Sequence, residues 1–232
     1  MLGTFGYAVW QARDGKPAEA EKKTAVFNQE ETDGIGKCRL TIDFGAGEMI
    51  VAAGAEGLAA GRLEYFQAEP DWRYSAADGR GELRIIRSEP WEGWLSGPGS
   101  RGYRWDIKLN EAKTWEIETD AGACRMAMDL TEIPVERIDL DTGASSVDIS
   151  FGDKQAHCRV EVDAGASDIN LVFPAGAGVR IDYAGTLSGN NLAAAGLERQ
   201  GDAYVTAGYD GAAVKFEAVV DMGAGSLEVE FR

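Results

Sequence analysis

The fold is indicated most clearly by two short stretches, Ile138-Asp-Leu-Asp-Thr-Gly-Ala144 and Val160-Glu-Val-Asp-Ala-Gly-Ala166. In both, apolar and polar residues alternate up to an aspartate, and Gly-Ala begins two residues after it. Apolar residues then return six, eight and ten positions after the aspartate, as Val147, Ile149 and Phe151 do in the first copy. Strict alternation on both sides of a glycine predicts a strand, a tight corner and a second strand, with one face buried.

The same pattern occurs five times along the chain. The aspartates that define the copies are Asp43, Asp120, Asp141, Asp163 and Asp221. They are 77, 21, 22 and 58 residues apart, so the middle copies repeat at a step of 21 or 22. One such unit cannot bury its apolar face alone, whereas stacked units can. The sequence therefore predicts an all-β, β-solenoid-like stack of ~21-residue coils with Gly-Ala corners. We expect the corner glycines to adopt backbone angles that a Cβ would forbid. An antiparallel β-sandwich is the alternative, because short strands with frequent turns fit it too.

Composition excludes several classes of protein. The chain has 232 residues, 44% of them hydrophobic, which is enough for a core and argues against disorder. A net charge of −16 argues against a nucleic-acid partner, because phosphate binding needs concentrated Lys and Arg. No apolar run reaches the ~20 residues of a membrane-spanning helix. Three cysteines are too few for a disulfide framework and are predicted to be buried thiols.

The repeat also suggests how the chain is organised. Residues 1–36 form an N-terminal segment, 37–110 a first β region with an aromatic hairpin, and 111–232 a repeat-bearing region continuous with it. The mildly apolar first ten residues are compatible either with the end of a membrane anchor upstream of Met1 or with a terminal strand.

Several motifs resemble a known family. They include Trp105-Asp-Ile-Lys-Leu-Asn110, Ile42-Asp-Phe-Gly-Ala-Gly47 and the stretch from Ile138 to Ala144. Together they resemble the toast-rack domain family, which is related to the putative-adhesin family and to LiaF-like regulators of the response to cell-wall-active antibiotics. The resemblance extends over residues 37–232. It implies a right-handed stack of β-coils in the cell envelope, outside the cytoplasmic membrane, with no catalytic residues. It suggests an adhesion-like or scaffold module linked to envelope stress.

One corner contains a motif with a chemical interpretation of its own. Asp141-Thr-Gly-Ala144 matches the active-site tetrad of aspartic proteases, in which two facing carboxylates share a proton and activate water. Because Asp120 and Asp163 hold the same place in neighbouring copies, the tetrad is better explained as one corner of a series. The single histidine, His157, precedes Cys158, and adjacent strand residues point to opposite faces, which argues against a nucleophilic pair.

The repeated aspartates raise an electrostatic question. Carboxylates stacked ~4.8 Å apart repel by roughly 3 kcal/mol at an effective dielectric constant of 20. We expect each carboxylate to accept N–H groups of its own corner in an Asx-type turn. The other solution is a Ca²⁺ ion bridging Asp120, Asp141 and Asp163.

Four aromatic residues, Trp91, Trp94, Tyr103 and Trp105, flank a Gly/Pro-rich tip. If exposed, they could stack on sugar rings; otherwise they cap the apolar end of the stack. The leading functional hypothesis is a non-enzymatic module that binds an unknown protein or associates with itself, for example through an uncovered terminal coil. A carbohydrate- or calcium-binding module is the alternative.

Overall fold

The computed structural model describes residues 21–66, 68–88 and 103–232. The described residues form β-strands and one short 3₁₀ helix, Tyr209–Gly211. The strands are β1 (Lys23–Gln29), β2 (Lys37–Ala53), β3 (Ala59–Tyr65), β4 (Asp71–Ala77), β5 (Arg80–Ile86), β6 (Tyr103–Leu109), β7 (Thr114–Leu130), β8 (Val135–Thr142), β9 (Ser146–Phe151), β10 (His157–Phe173), β11 (Gly178–Asn190), β12 (Leu197–Gln200), β13 (Ala203–Thr206) and β14 (Lys215–Phe231). In this part of the chain no helix is long and apolar enough to cross a membrane.

Six strands form the centre of the sheet in the order β2, β7, β8, β10, β14, β11, and every neighbouring pair is parallel. Strand β9 continues β8 beyond the corner and pairs with β7 and β10. The parallel stack confirms the solenoid-like, all-β prediction and excludes the antiparallel sandwich. Antiparallel pairs occur at the two ends, where β1 pairs with β3, β4 with β5, and β13 with β11 and β12. Strand β1, from the first of the three predicted segments, thus joins the same sheet.

The register of the sheet confirms the repeat alignment. Asp43 pairs with Asp120, Asp120 with Asp141, Asp141 with Asp163, and Asp163 with Asp221. The order of the strands differs from the order of the sequence, because β14 lies between β10 and β11. The 21-residue step from Asp163 leads to residue 184, an alanine in β11 that pairs with Asp221.

Each long strand bends at its Gly-Ala corner and encloses one interior. In β10 the even-numbered residues from Cys158 to Ala164 are buried, Gly165 and Ala166 are both exposed, and burial resumes at Ser167. Two consecutive outward residues shift the alternation by one, so both arms of the strand direct side chains into the same core. We call the residues before the corner the first arm and those after it the second arm.

Aromatic rings connect the two arms at the end farthest from the corner. Phe173, on the second arm of β10, lies 5.0 Å from Phe216, on the first arm of β14. Phe151 stacks on Phe173 at 5.2 Å between ring centroids. The interior is therefore one core shared by both arms of neighbouring coils.

The corner glycines are required for a reason other than the predicted one. Positive φ angles occur at other glycines, such as Gly47 and Gly225, and not at Gly143 or Gly165. A Cβ on Gly143 would lie 2.7 Å from the carbonyl oxygen of Gly122, and one on Gly165 would lie 2.6 Å from that of Gly143. The expectation of forbidden backbone angles is wrong for these corners. Glycine is needed there because successive backbones approach too closely for a side chain.

Replacing Gly143 with valine is expected to lower the free energy of unfolding by about 2 to 3 kcal/mol, the usual cost of forcing extra atoms into a packed site. Urea unfolding monitored by circular dichroism measures the change. Ala144→Val is the matched control, since Ala144 is exposed at the same corner and tolerates a larger side chain. Equal stability of Gly143→Val and the parent would contradict the close-approach explanation.

Candidate functional site

The most distinctive surface feature is the row of aspartates at the corners. We call Asp43, Asp120, Asp141, Asp163 and Asp221 the aspartate row; all but Asp43, which is half-buried, are exposed. Asp43 accepts a hydrogen bond from Arg87 Nε at 2.8 Å. Within the described ranges, no cation or hydrogen-bond donor contacts the other four carboxylates.

The Asx-turn expectation is therefore wrong. The corner N–H groups bond to the preceding coil instead: Ala144 donates to the Gly122 carbonyl at 3.0 Å, and Ala166 donates to the Gly143 carbonyl at 2.7 Å. Because neighbouring strands lie so close at the corner, the corner N–H groups donate to carbonyl groups of the preceding coil and not to the aspartate of their own coil.

Asp141, in the middle of the row, has a shifted pKa. Partial burial, followed by the negative charges of Asp120 and Asp163, raises the pKa of Asp141 above that of an ordinary aspartate. The charged form of Asp141 is therefore disfavoured in the folded state, and its ionisation destabilises the fold at neutral pH.

The three aspartates predicted to bridge Ca²⁺ are brought into one row by the fold, but they do not enclose a site. Among residues 21–66, 68–88 and 103–232, no group of three or more Asp, Glu, His or Cys side chains is arranged to hold a metal ion. Consecutive members of the row are one strand apart along a line, and the outer carboxylates of the three are separated by two strand spacings, about 10 Å.

A second row, four residues before each aspartate and before Ala184, has a different electrostatic character. We call this row, with its side chains on the outside of the first arms, the charged face. It contains both arginine and glutamate, and some of its members form ion pairs across strands, as Arg39 does with Glu116 at 2.6 Å. Arg137 and Arg159 each contact Glu161, a residue of the adjoining row, at 2.7 Å. The members are, in strand order, Arg39, Glu116, Arg137, Arg159, Glu217 and Arg180.

Behind the aspartate row lies a buried chain of polar groups that sequence reasoning missed. The hydroxyl of Thr142 lies 2.5 Å from that of Ser145. The N–H of Cys124 donates to Ser145 Oγ at 3.2 Å, and the N–H of Ser145 donates to Ser167 Oγ at 3.0 Å. The signal was available, because the fourth residue after the aspartate is small in every copy.

This arrangement bears on the protease motif. The Thr142 side chain is turned into the core, and the carboxylates nearest in register to Asp141 are those of Asp120 and Asp163 in adjacent strands. Asp141 is thus one member of a series, as the repeat predicts. A facing Asp-Thr-Gly pair is not present among the described residues.

The cysteines lie in the core, as predicted. All three are free and buried. Burial raises the pKa of Cys124, and it raises that of Cys158 to about 12. His157 points outward, with Nε2 3.6 Å from Glu217, while Cys158 is buried. The two side chains are on opposite faces, so they do not form a nucleophile–base pair.

The aromatic cluster is only partly within the described structure. Trp91 and Trp94 lie outside the described residues. Trp105 is 1% exposed and its ring packs 5.0 Å from that of Phe44, so it is a core residue and its faces are closed to a sugar. Tyr103 is half-buried and also packs against Phe44, at 6.4 Å.

These features define a β-solenoid-like module with charged rows on its outer surface. The chain belongs to the toast-rack family: the model described as "N-terminal domain of toast_rack, DUF2154" matches residues 15–172. The resemblance noted in the sequence is thereby confirmed. No curated protein matches the chain in sequence.

A solved structure supports the fold. A crystal structure of a "putative cell adhesion protein" from Clostridium sporogenes has a TM-score of 0.83 and 23% sequence identity, covering 91% of this chain and 100% of that one. A "putative adhesin" from Bacteroides fragilis has a TM-score of 0.30 and 8% identity, covering 93% of this chain and 100% of that one. The first likeness establishes a shared fold.

Replacing Asp141 with asparagine is expected to stabilise the protein at about pH 7, by up to about 1 kcal/mol because the carboxylate is exposed and screened. The folded-state pKa of Asp141 is raised, so the parent protein regains stability as the pH falls through that pKa and the carboxylate is protonated. The difference in unfolding free energy between the variant and the parent therefore disappears at about pH 3. Urea unfolding at both pH values measures it.

Asp139→Asn is the matched control. Asp139 lies two residues away and is paired with Arg137 at 3.1 Å, so its replacement is expected to give no gain at neutral pH. An Asp141→Asn variant no more stable than the parent at neutral pH would show that the row is not repulsive.

Proposed function

We propose that this chain is a non-enzymatic, extracytoplasmic module of the cell envelope that presents the outer surface of its stacked strands to a protein partner. Its role is adhesion-like or that of a scaffold. The family resemblance further links it to the response to envelope stress.

The observation that carries the proposal is the charged face. Its side chains come from six adjacent strands joined by backbone hydrogen bonds, and neighbouring strands carry ion pairs that hold several of them in place. A surface that is ordered before binding loses less conformational entropy when a partner docks. A fixed order of positive and negative charges along the surface also favours one register of a complementary partner over others.

The chemistry of the described side chains supports binding over catalysis. The thiols are buried, and burial raises the pKa of Cys124 and Cys158, which disfavours the reactive thiolate. The carboxylates of the aspartate row are spread along a line across five strands.

The comparisons support the placement of the module. Toast-rack membership and a fold shared with a structure described as a "putative cell adhesion protein" both fit a domain that acts at a surface. The excess of acidic residues would favour partners with basic surfaces.

Photo-crosslinking in the source cells tests the partner. A photoreactive residue at Glu118, on the outside of a first arm, or at Asp148, on the outside of a second arm, is expected to trap a discrete protein adduct. Asp33, exposed in the loop before β2, is the matched control and is expected to trap none.

Labelling of intact cells tests the location. A membrane-impermeant reagent that modifies surface lysines is expected to reach the chain without permeabilisation of the cytoplasmic membrane. Protection of the chain until that membrane is opened, or the absence of an adduct from both outer positions, would contradict the proposal.

A further inference from the structure

The two ends of the central stack are covered to different extents. At one end, β5 pairs with the first arm of β2 over Lys37–Asp43, and β6 pairs with its second arm over Gly47–Ala53. At the other end, β13 pairs with β11 only over Arg180–Asp182. Within the described part of the chain, the second arm of β11 pairs with no strand other than β14, and the Tyr183 hydroxyl lies against it, 2.6 Å from Ser188 Oγ.

We call residues 185–190 of this arm the open edge. Its sequence is Gly-Thr-Leu-Ser-Gly-Asn, without a charge or a proline, in a chain whose net charge is −16. Leu187 is 81% exposed, more than any other large apolar side chain among the described residues. Proteins usually protect a free strand edge with Lys, Pro or a covering element, because its unpaired N–H and C=O groups invite another strand.

At the covered end, the segment that pairs with the last strand of the aspartate row supplies both a backbone hydrogen bond and a cation. Arg87, just beyond β5, donates its N–H to the Asp43 carbonyl at 3.2 Å and its guanidinium to the Asp43 carboxylate at 2.8 Å. At the open end the row finishes with Asp221, which pairs with Ala184 and has no ion pair within the described residues. The alanine leaves the space beside that carboxylate unfilled by a long side chain.

A strand added at the open edge would lie two strand spacings, about 10 Å, from the backbone of Asp221. An arginine or lysine level with Ala184 can extend across the alanine to this carboxylate. At the other end, Arg87 contacts Asp43 from the end of the directly adjacent strand.

We propose that the open edge binds an extended segment of a partner protein, added as a further strand, with an arginine or lysine level with Ala184. The proposal rests on the proposed function and names the chemistry of its partner. A second copy of the chain is disfavoured as the occupant, because residues 184–190 offer no cation and both copies would be strongly acidic.

The test uses the whole chain and two synthetic heptapeptides, acetyl-Thr-Val-Arg-Val-Thr-Val-Thr-amide and its counterpart with Gln in place of Arg. Amide NMR signals of the ¹⁵N-labelled protein are followed during titration to millimolar peptide. The Arg peptide is expected to shift signals of the open edge and of the neighbouring part of β14, and to leave those of β4 and β1 unchanged.

The contribution of the carboxylate is measured with Asp221→Asn. This variant is expected to bind the Arg peptide about threefold more weakly, the size of an exposed ion pair, and to bind the Gln peptide with unchanged affinity. Asp120→Asn, in the same row but three strands from Asp221, is the matched control and is expected to change neither affinity. Melting temperatures verify that both variants are folded. Comparison of the Arg and Gln peptides tests the ion pair between the peptide arginine and Asp221 in the unaltered protein.

Three results would overturn the proposal. The open-edge signals could fail to shift at millimolar peptide, or the shifts could be confined to other strands. The third is that the Arg and Gln peptides bind with equal affinity, both to the parent and to Asp221→Asn. Sedimentation gives a fourth, since a dimer whose formation shifts the open-edge signals without peptide would identify a second copy as the occupant. Because these measurements use the isolated protein, their failure is distinguishable from a failure of cell labelling.

Discussion

The close passage of successive backbones at the Gly-Ala corners is the constraint on which the structure depends. The glycine of one coil lies so near the glycine carbonyl of the preceding coil that a Cβ would be about 2.6 Å from that oxygen. This approach lets corner N–H groups, such as that of Ala166, bond to the preceding coil. It also lets both arms of each strand fill one interior, whose burial provides the main favourable contribution to folding.

The same close stacking has an electrostatic consequence. A residue repeated at one position of the coil is repeated in space at one strand spacing, so equal charges form rows. On the charged face opposite charges meet, since Arg39 pairs with Glu116, and Arg137 and Arg159 both pair with Glu161. In the aspartate row, by contrast, Asp43 alone is paired with a cation among the described residues, and that cation is Arg87. The row and the open edge meet at Ala184. Within the described ranges, the Asp221 carboxylate has no ion pair there, and the second arm of β11 pairs with no strand other than β14. The open edge, which we propose as the site of an added strand, thus lies where backbone hydrogen bonds and a charge are both unpaired within the described residues.

The sequence predicted the repeat and its phase because each position of a coil has one environment. Met126, Val147 and Ile169 share a register position, and all three are buried as expected. The order of the strands could not be read in the same way, since similar copies pair equally well, and the insertion of β14 beside β10 depends on contacts distant in sequence. The sequence left two environments open for Trp105 for a related reason: an aromatic residue near a glycine-rich tip is typical of an exposed loop as much as of a strand that enters the core.

Native-state hydrogen exchange at the corner amides shows whether the close backbone approach holds the stack together. If the close backbone approach holds the stack together, the N–H groups of Ala144, Ala166 and Asp168 exchange only through global unfolding. Their protection then equals that of core amides such as Ile169, and it falls with denaturant at the same slope. Exchange of these corner amides through local opening, with weaker protection and little dependence on denaturant, would show that the corners are loose connections and contradict the account.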